Sequence, residues 1–203
     1  MLPYIVVLLL SLSSFIANPV AAQEDCKTIV SDDARLACYD LQFGVKENST
    51  EAVVDAGRWS VRTETSKMTD TTNVFLRLDS NETIAGRFGG PGNGALWLRC
   101  RENTTAVLFA FNNHFMSDIQ GYGRIEYRLD KAKMAKIYAA ASTDNKTLGL
   151  WRGARAIPFI KSMFGKDMLV LRATPFNGSR LTLSYDIRGL EQAIAPLRKA
   201  CNW

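Results

Sequence analysis

The stretch "DMLVLRATPFNGSRLTLSYDI", residues 167–187, decides the fold. It reads as two short apolar-alternating runs, "DMLVLRATP" and "RLTLSYDI", joined by "PFNGS". Alternation with period two is the signature of strands with one face in a core, and Asn177-Gly178 between two such runs signals a hairpin turn.

The same pattern extends upstream. "WSVRTETS" puts Trp59, Val61, Thr63 and Thr65 on one side, and "NVFLRLDS" does the same for Val74, Leu76 and Leu78. In "ALWLRCR", Leu96, Leu98 and Cys100 point inward, leaving Trp97, Arg99 and Arg101 outward. "TTAVLFAF" is apolar on both sides, as a central strand would be. "GRIEYRLD" sets Ile125, Tyr127 and Leu129 against Arg124, Glu126 and Arg128, and "AKIYAAAS" is a further strand. With turn signals at "DSNET", "GGPGNG", "RENT" and "STDNKT", the body reads as about eight antiparallel strands forming a mainly β protein, a β-sandwich or flattened barrel. "AIPFIKSMFG" is expected as a short helix between strands. The closing "RGLEQAIAPLRKACNW" is expected as a helix with Leu190, Ile194, Leu197 and Cys201 on one stripe, complicated by Pro196.

The amino-terminal part has a different character. Residues 1–22 read as a secretory signal peptide with cleavage after Ala22, although no Lys or Arg precedes the apolar run. Export implies an oxidising compartment, where cysteines pair. Four cysteines are present, Cys26, Cys38, Cys100 and Cys201, and four allow three connectivities. In one continuous helix the Cα atoms of Cys26 and Cys38 would be about 18 Å apart, at ~1.5 Å per residue. A disulfide needs less than about 7 Å, so their pairing demands a chain reversal. "SDD" supplies one: Ser31 or Asp32 can cap a helix running "DARLACYDLQF". A Cys26–Cys38 bond within a helical segment over 23–45 leaves Cys100 with Cys201. That second bond would tie the final helix to the sheet. Residues 46–57 read as a linker and 58–203 as the β-rich domain with its terminal helix.

The chemistry of the composition is restrictive. The single histidine, His114, has apolar neighbours and no nucleophile motif, so a Ser–His–Asp system is not expected. With the cysteines oxidised, thiolate nucleophiles and thiolate metal ligands are not expected either. "GGPGNG" lacks the lysine and following helix of a phosphate cradle and reads as a loop. Asp70, Asp130 and Asp144 sit in turns, where such residues usually bond their own backbone. We expect no enzymatic activity, no cofactor and no metal. The net charge of +5 suits anionic envelope polymers or lipid headgroups, and no basic run is dense enough for nucleic acid.

Several phrases occur in an order that resembles a family: "RLACYD", a Trp followed by "SKMTDTTNV", "LRCREN", "YRLD", "STD", "IPFIKSMFGKDMLVLRATPF" and "LEQAIAPLRKACNW". The order is similar to that of the type VI secretion system-associated proteins called VasI or TagO, from about Cys26 to Trp203. The resemblance implies a small exported accessory protein of a Gram-negative secretion apparatus, acting in the periplasm, with no catalytic residues to transfer. Positions falling on these phrases include Met68, Thr69, Asp70, Thr71, Arg99, Cys100, Arg128, Asp130, Ser142, Thr143, Asp144 and Cys201. Two functions are expected from these residues. One is protein–protein contact with envelope proteins of the apparatus, through Trp97 with Arg99 and Arg101. The other is binding of an anionic envelope ligand such as peptidoglycan or lipopolysaccharide, through Arg99, Arg101, Arg124 and Arg128. Asp70 joins the candidate binding residues through the "MTDT" phrase.

Overall fold

A computed structural model describes residues 26–43, 56–87 and 89–203. The expected signal peptide and most of the expected linker lie outside these residues. The chain divides into two units, Met1–Glu51 and Ala52–Trp203.

In the first unit a single 3-10 turn, Cys26–Thr28, precedes helix α1, Asp32–Phe43. The chain reverses between them, as the cysteine spacing demanded. The helix starts where the Arg35 amide donates to the Ser31 carbonyl at 2.8 Å. Asp32 and Asp33 occupy the first turn, where the helix dipole favours negative charge, and Asp32 also pairs with Arg35. The Cys26–Cys38 bond closes the reversal with Cα atoms 5.6 Å apart.

Among its described residues the second unit holds ten strands in two antiparallel sheets. Sheet A has the order β1 (Ser60–Thr65), β2 (Thr72–Ile84), β3 (Gly92–Arg101), β4 (Thr104–Ala110), β8 (Thr147–Leu150) and β7 (Ala140–Ala141). Sheet B has the order β10 (Leu181–Asp186), β9 (Met168–Ala173), β5 (Arg124–Leu129) and β6 (Ala135–Tyr138). Neither sheet closes on itself, so the architecture is the sandwich and not the barrel. Inward residues of both sheets meet in one core, including Leu76, Leu96, Leu98, Phe109, Ile125, Leu171 and Leu183. Helix α2 (Gly153–Ser162) packs on β4 and β8, and its Phe159 meets the rings of Phe109 and Tyr127 edge-on at 5.6 and 5.2 Å.

The hairpin over 167–187 forms, with Leu171 opposite Leu183. Its connection is longer than a tight turn, because pairing stops at Ala173 and Leu181. Asn177 takes a left-handed conformation at the tip, and Phe176 is held by the Phe115 carbonyl at 2.9 Å. The tight two-residue turn occurs instead at Glu102-Asn103, both at positive φ, between the paired Arg101 and Thr104. Positive φ at both central residues is the type I′ geometry that matches strand twist.

Four expectations are corrected. "DSNET" is not a turn between strands: it lies within β2, whose pairing with β3 shifts register between Asp79 and Thr83. "WSVRTETS" buries only Trp59. The whole of β1 is exposed, because it is an edge strand whose one neighbour is β2. "AKIYAAAS" is not one strand: the chain leaves sheet B after Tyr138 and joins sheet A at Ala140, giving β6 and β7. With β8 also formed, from residues given to no strand, the count is ten and not eight. The second half of "GGPGNG" is the start of β3 rather than loop. A Cβ at Gly94 would lie 2.3 Å from Leu183 Cδ1, so the two sheets approach closely there and a side chain at 94 would have to displace Leu183.

The terminal helix breaks, as Pro196 foreshadowed, into α3 (Leu190–Ala193) and α4 (Ala195–Cys201). Proline in the first turn of α4 lacks only an N–H that would have no partner anyway. Leu197 and Ile194 are wholly buried, and α4 packs on β2 and β3. The Cys100–Cys201 bond fixes this helix to β3 across a separation of 101 residues, with Cα atoms 5.7 Å apart. Closing so long a loop stabilises by roughly 2–4 kcal/mol.

The free edge of β10 is covered by the end of β2. Past the irregularity between Asp79 and Thr83, Glu82 accepts from the Ser184 amide and hydroxyl, both at 2.6 Å, and Asn81 Nδ2 donates to the same hydroxyl at 2.9 Å. Such cover blocks edge-to-edge pairing with another chain.

Candidate functional site

The outward residues of sheet A form a ladder of guanidinium groups and aromatic rings, set by strand register. Arg62, Phe75 and Arg99 lie in one row across β1, β2 and β3, and Arg77, Trp97 and Leu108 lie in the next across β2, β3 and β4. Arg62 sits over Phe75 at 5.1 Å, Arg77 over Trp97 at 5.1 Å, and Arg99 over Trp151 at 5.4 Å. Trp97 is thus half-covered by an arginine of its own face. Helix α2, which could have covered it, packs on β4 and β8 instead.

The three arginines differ in one respect. Arg62 pairs with Glu64 at 3.2 Å and Arg77 with Asp79 at 2.7 Å. Arg99 has no carboxylate or hydrogen-bond acceptor among the described residues, although its Nε is buried. Burial, and then the charge of Arg101, lowers its pKa from the ordinary arginine value. A guanidinium that is half-removed from water and left without an acceptor is destabilising where it stands.

Arg99 forms one wall of an open groove of about 580 Å³, with Leu108, Thr147, Trp151 and the turn Ser142-Thr143-Asp144. Trp151 lies against Gly149, where a Cβ would come within 2.5 Å of the indole, and its Nε1 donates to the Ala140 carbonyl at 3.0 Å. In the turn, the Ser142 hydroxyl donates to Asp144 Oδ1 at 2.5 Å, and the Lys146 amide donates to the same oxygen at 3.1 Å. The Ser142 hydroxyl, followed by the Lys146 amide, holds the Asp144 carboxyl below its usual range.

The sequence-derived residues therefore divide. Trp97, Arg99 and Arg101 share the outer face of sheet A. Arg124 and Arg128 lie on β5 of sheet B, so the two arginine strands are not one surface. Asp70 sits in the β1–β2 loop at positive φ, its amide donating to the Ser66 carbonyl at 2.9 Å, and it does not line the groove. Asp130 caps a loop: its Oδ1 accepts from the Asp167 and Met168 amides at 3.0 and 2.9 Å. His114 holds the Ala85 carbonyl at 2.8 Å. Trp151 was missed by the sequence reading. Its only signal was "GLW", a glycine two residues before a tryptophan at a strand end.

Among the described residues no cluster of His, Cys, Asp and Glu could hold a metal ion, and no helix is long and apolar enough to cross a membrane. The fold and this face define a disulfide-tied β-sandwich with an arginine–aromatic outer sheet. The chain belongs to the VasI family of type VI secretion system proteins: the family model described as "Type VI secretion system VasI, EvfG, VC_A0118" matches residues 25–203. No curated protein matches the sequence. Among solved structures, the crystal structure of invasion associated protein B from Bartonella henselae is similar, with 13% identity and a TM-score of 0.45. The match covers 72% of this chain and 96% of that one. That likeness is too distant to bear on function.

Proposed function

We propose that this type VI secretion protein is a periplasmic accessory that works by protein–protein contact, without catalysis, through the outer face of sheet A. One observation carries the reading: Arg99 is half-buried on the face of Trp151, beside an open groove, with no acceptor among the described residues. A partner's carboxylate or carbonyl would supply the missing acceptor, and Trp and Arg are the side chains most enriched at binding hot spots. The two disulfides support an oxidising compartment for this work.

The test is genetic and chemical together. In a strain with active type VI secretion, Trp97→Ala/Arg99→Ala is expected to accumulate in the envelope yet fail to restore secretion to a deletion strain. A photo-crosslinker placed at Trp97 is expected to capture a component of the apparatus. Full secretion by the double variant, with no crosslink, would remove this face from consideration.

A further inference from the structure

The second arginine strand belongs to a different and more concentrated cationic site. On the outer face of sheet B, Arg124 and Glu126 of β5, Arg172 of β9 and Arg180 of the β9–β10 loop surround a shallow dent of about 10 Å³, on which an anion would rest rather than be enclosed. Arg172 is oriented by Glu126, with Nε and Nη2 each 2.7 Å from the same carboxylate oxygen. Arg124 and Arg180 have no acceptor among the described residues. Both nevertheless stand near Glu126. Its carboxyl is held below the usual range first by the Arg172 hydrogen bond, against burial, and then by the charges of Arg172, Arg180 and Arg124. Three guanidinium groups around one carboxylate leave a local charge of about +2, which matches a phosphomonoester near neutral pH. Guanidinium forks suit such an anion because they can offer it paired donors.

What adjoins the dent says what carries the phosphate. Glu126 and Arg172 also line a second hollow of about 230 Å³, whose walls include Tyr127, Val170 and the exposed Met134. Tyr138, directly across from Arg124 on β6, is 61% exposed. The β5–β6 loop adds Lys131 and Lys133, both exposed, beside Met134. An arginine cradle next to apolar side chains, an outward tyrosine and flanking lysines has the chemistry of the headgroup layer of a membrane.

We propose that the outer face of sheet B docks on a membrane surface by holding the phosphomonoester headgroup of a lipid between Arg124, Arg172 and Arg180. This site is independent of the sheet A face and of the contact assigned to it.

Sedimentation of the purified protein with vesicles tests it, at ~0.15 M salt, where exposed charges are screened beyond about 8 Å. Phosphatidylcholine vesicles carrying phosphatidic acid are compared with vesicles of equal charge carrying phosphatidylglycerol, a phosphodiester. The expected result is preferential binding to phosphatidic acid, weakened about tenfold or more by Arg124→Gln/Arg180→Gln and unchanged by Lys67→Gln/Lys199→Gln. All four side chains are exposed, so both variants are expected to keep the wild-type near-ultraviolet circular dichroism. Equal binding to both vesicle types, or equal loss in the lysine pair, would reduce the site to diffuse charge and overturn the proposal. Inorganic phosphate or pyrophosphate bound as tightly as the vesicles, and displacing them, would assign a soluble phosphate and overturn the lipid.

Discussion

Arg99→Met separates a residue kept for function from one kept for structure. Methionine retains most of the aliphatic stem against the sheet and removes only the charged head. The loss is the contact with Trp151 at 5.4 Å, worth about 0.5–1 kcal/mol at a partly exposed site. The gain is relief of a buried Nε without an acceptor, where an unsatisfied group costs about 1–3 kcal/mol. The proximity of Arg101, which adds to the lowering of the Arg99 pKa, makes the wild-type charge still less favourable. The variant is therefore expected to be as stable as wild type or up to ~2 kcal/mol more stable, while secretion falls with loss of the partner contact. Urea unfolding followed by tryptophan fluorescence measures the first, and complementation of a deletion strain the second. A destabilisation above about 1 kcal/mol would show that Arg99 has a structural partner and would refute the reasoning.

Two further perturbations read the framework behind the site. Glu82 is partly desolvated, which alone would raise its pKa, but the Ser184 hydroxyl and amide together hold it below the usual value. Its contribution is then complete above the unfolded-state pKa of about 4.3 and is lost as pH falls through the lower folded value. Glu82→Gln is expected to cost about 1 kcal/mol at neutral pH, an exposed pair being discounted for screening, and clearly less at pH ~3. Chemical denaturation at both pH values checks it, and an equal loss at both would contradict the assignment. Tyr185 is fully buried with a hydroxyl that has no partner among the described residues, and burial, aided by the charges of Glu82 and Asp79, pushes its pKa up. Tyr185→Phe is expected to be neutral or to stabilise by up to ~1 kcal/mol in thermal unfolding, and a loss above that would reveal an acceptor.

The fold was legible wherever one residue face had to be dry. Leu96, Leu98 and Cys100 alternate against Trp97, Arg99 and Arg101 in the sequence, and the same split governs their burial. The cysteine staples were legible only as a condition: pairing of Cys26 with Cys38 required a chain reversal, which "SDD" offered, while the choice among three connectivities rested on the fold. β1 was not legible as an edge. Its alternation is as clean as that of a half-buried strand, and only tertiary neighbours decide whether a face is covered. The split at Ala139 was hidden for a similar reason. "AKIYAAAS" has uniform strand propensity, while the change of sheet depends on Tyr138 and Ala140 pairing with different partners, Arg124 and Gly149.

The candidate sites show where alternation ceases to inform. In sequence, Arg99 and Arg101 look like Arg124 and Arg128: two cations each on the wet side of a strand. The fold gives them different physics. Arg99 is pressed against an indole with a buried nitrogen, a state whose cost an incoming acceptor offsets, so it favours specific contact. Arg124 stands in the open beside Arg172 and Arg180, which come from a neighbouring strand and a following loop, and this concentrates charge without burying it. Concentrated exposed charge selects an anion by its valence and weakens with salt. A half-buried guanidinium selects by geometry and is less sensitive to salt. If both faces engage at once, the sandwich joins a protein to a surface through its two opposite sheets. Arg99→Met and Arg124→Gln/Arg180→Gln should then impair secretion by separable routes, one losing the partner with membrane binding intact and the other the reverse.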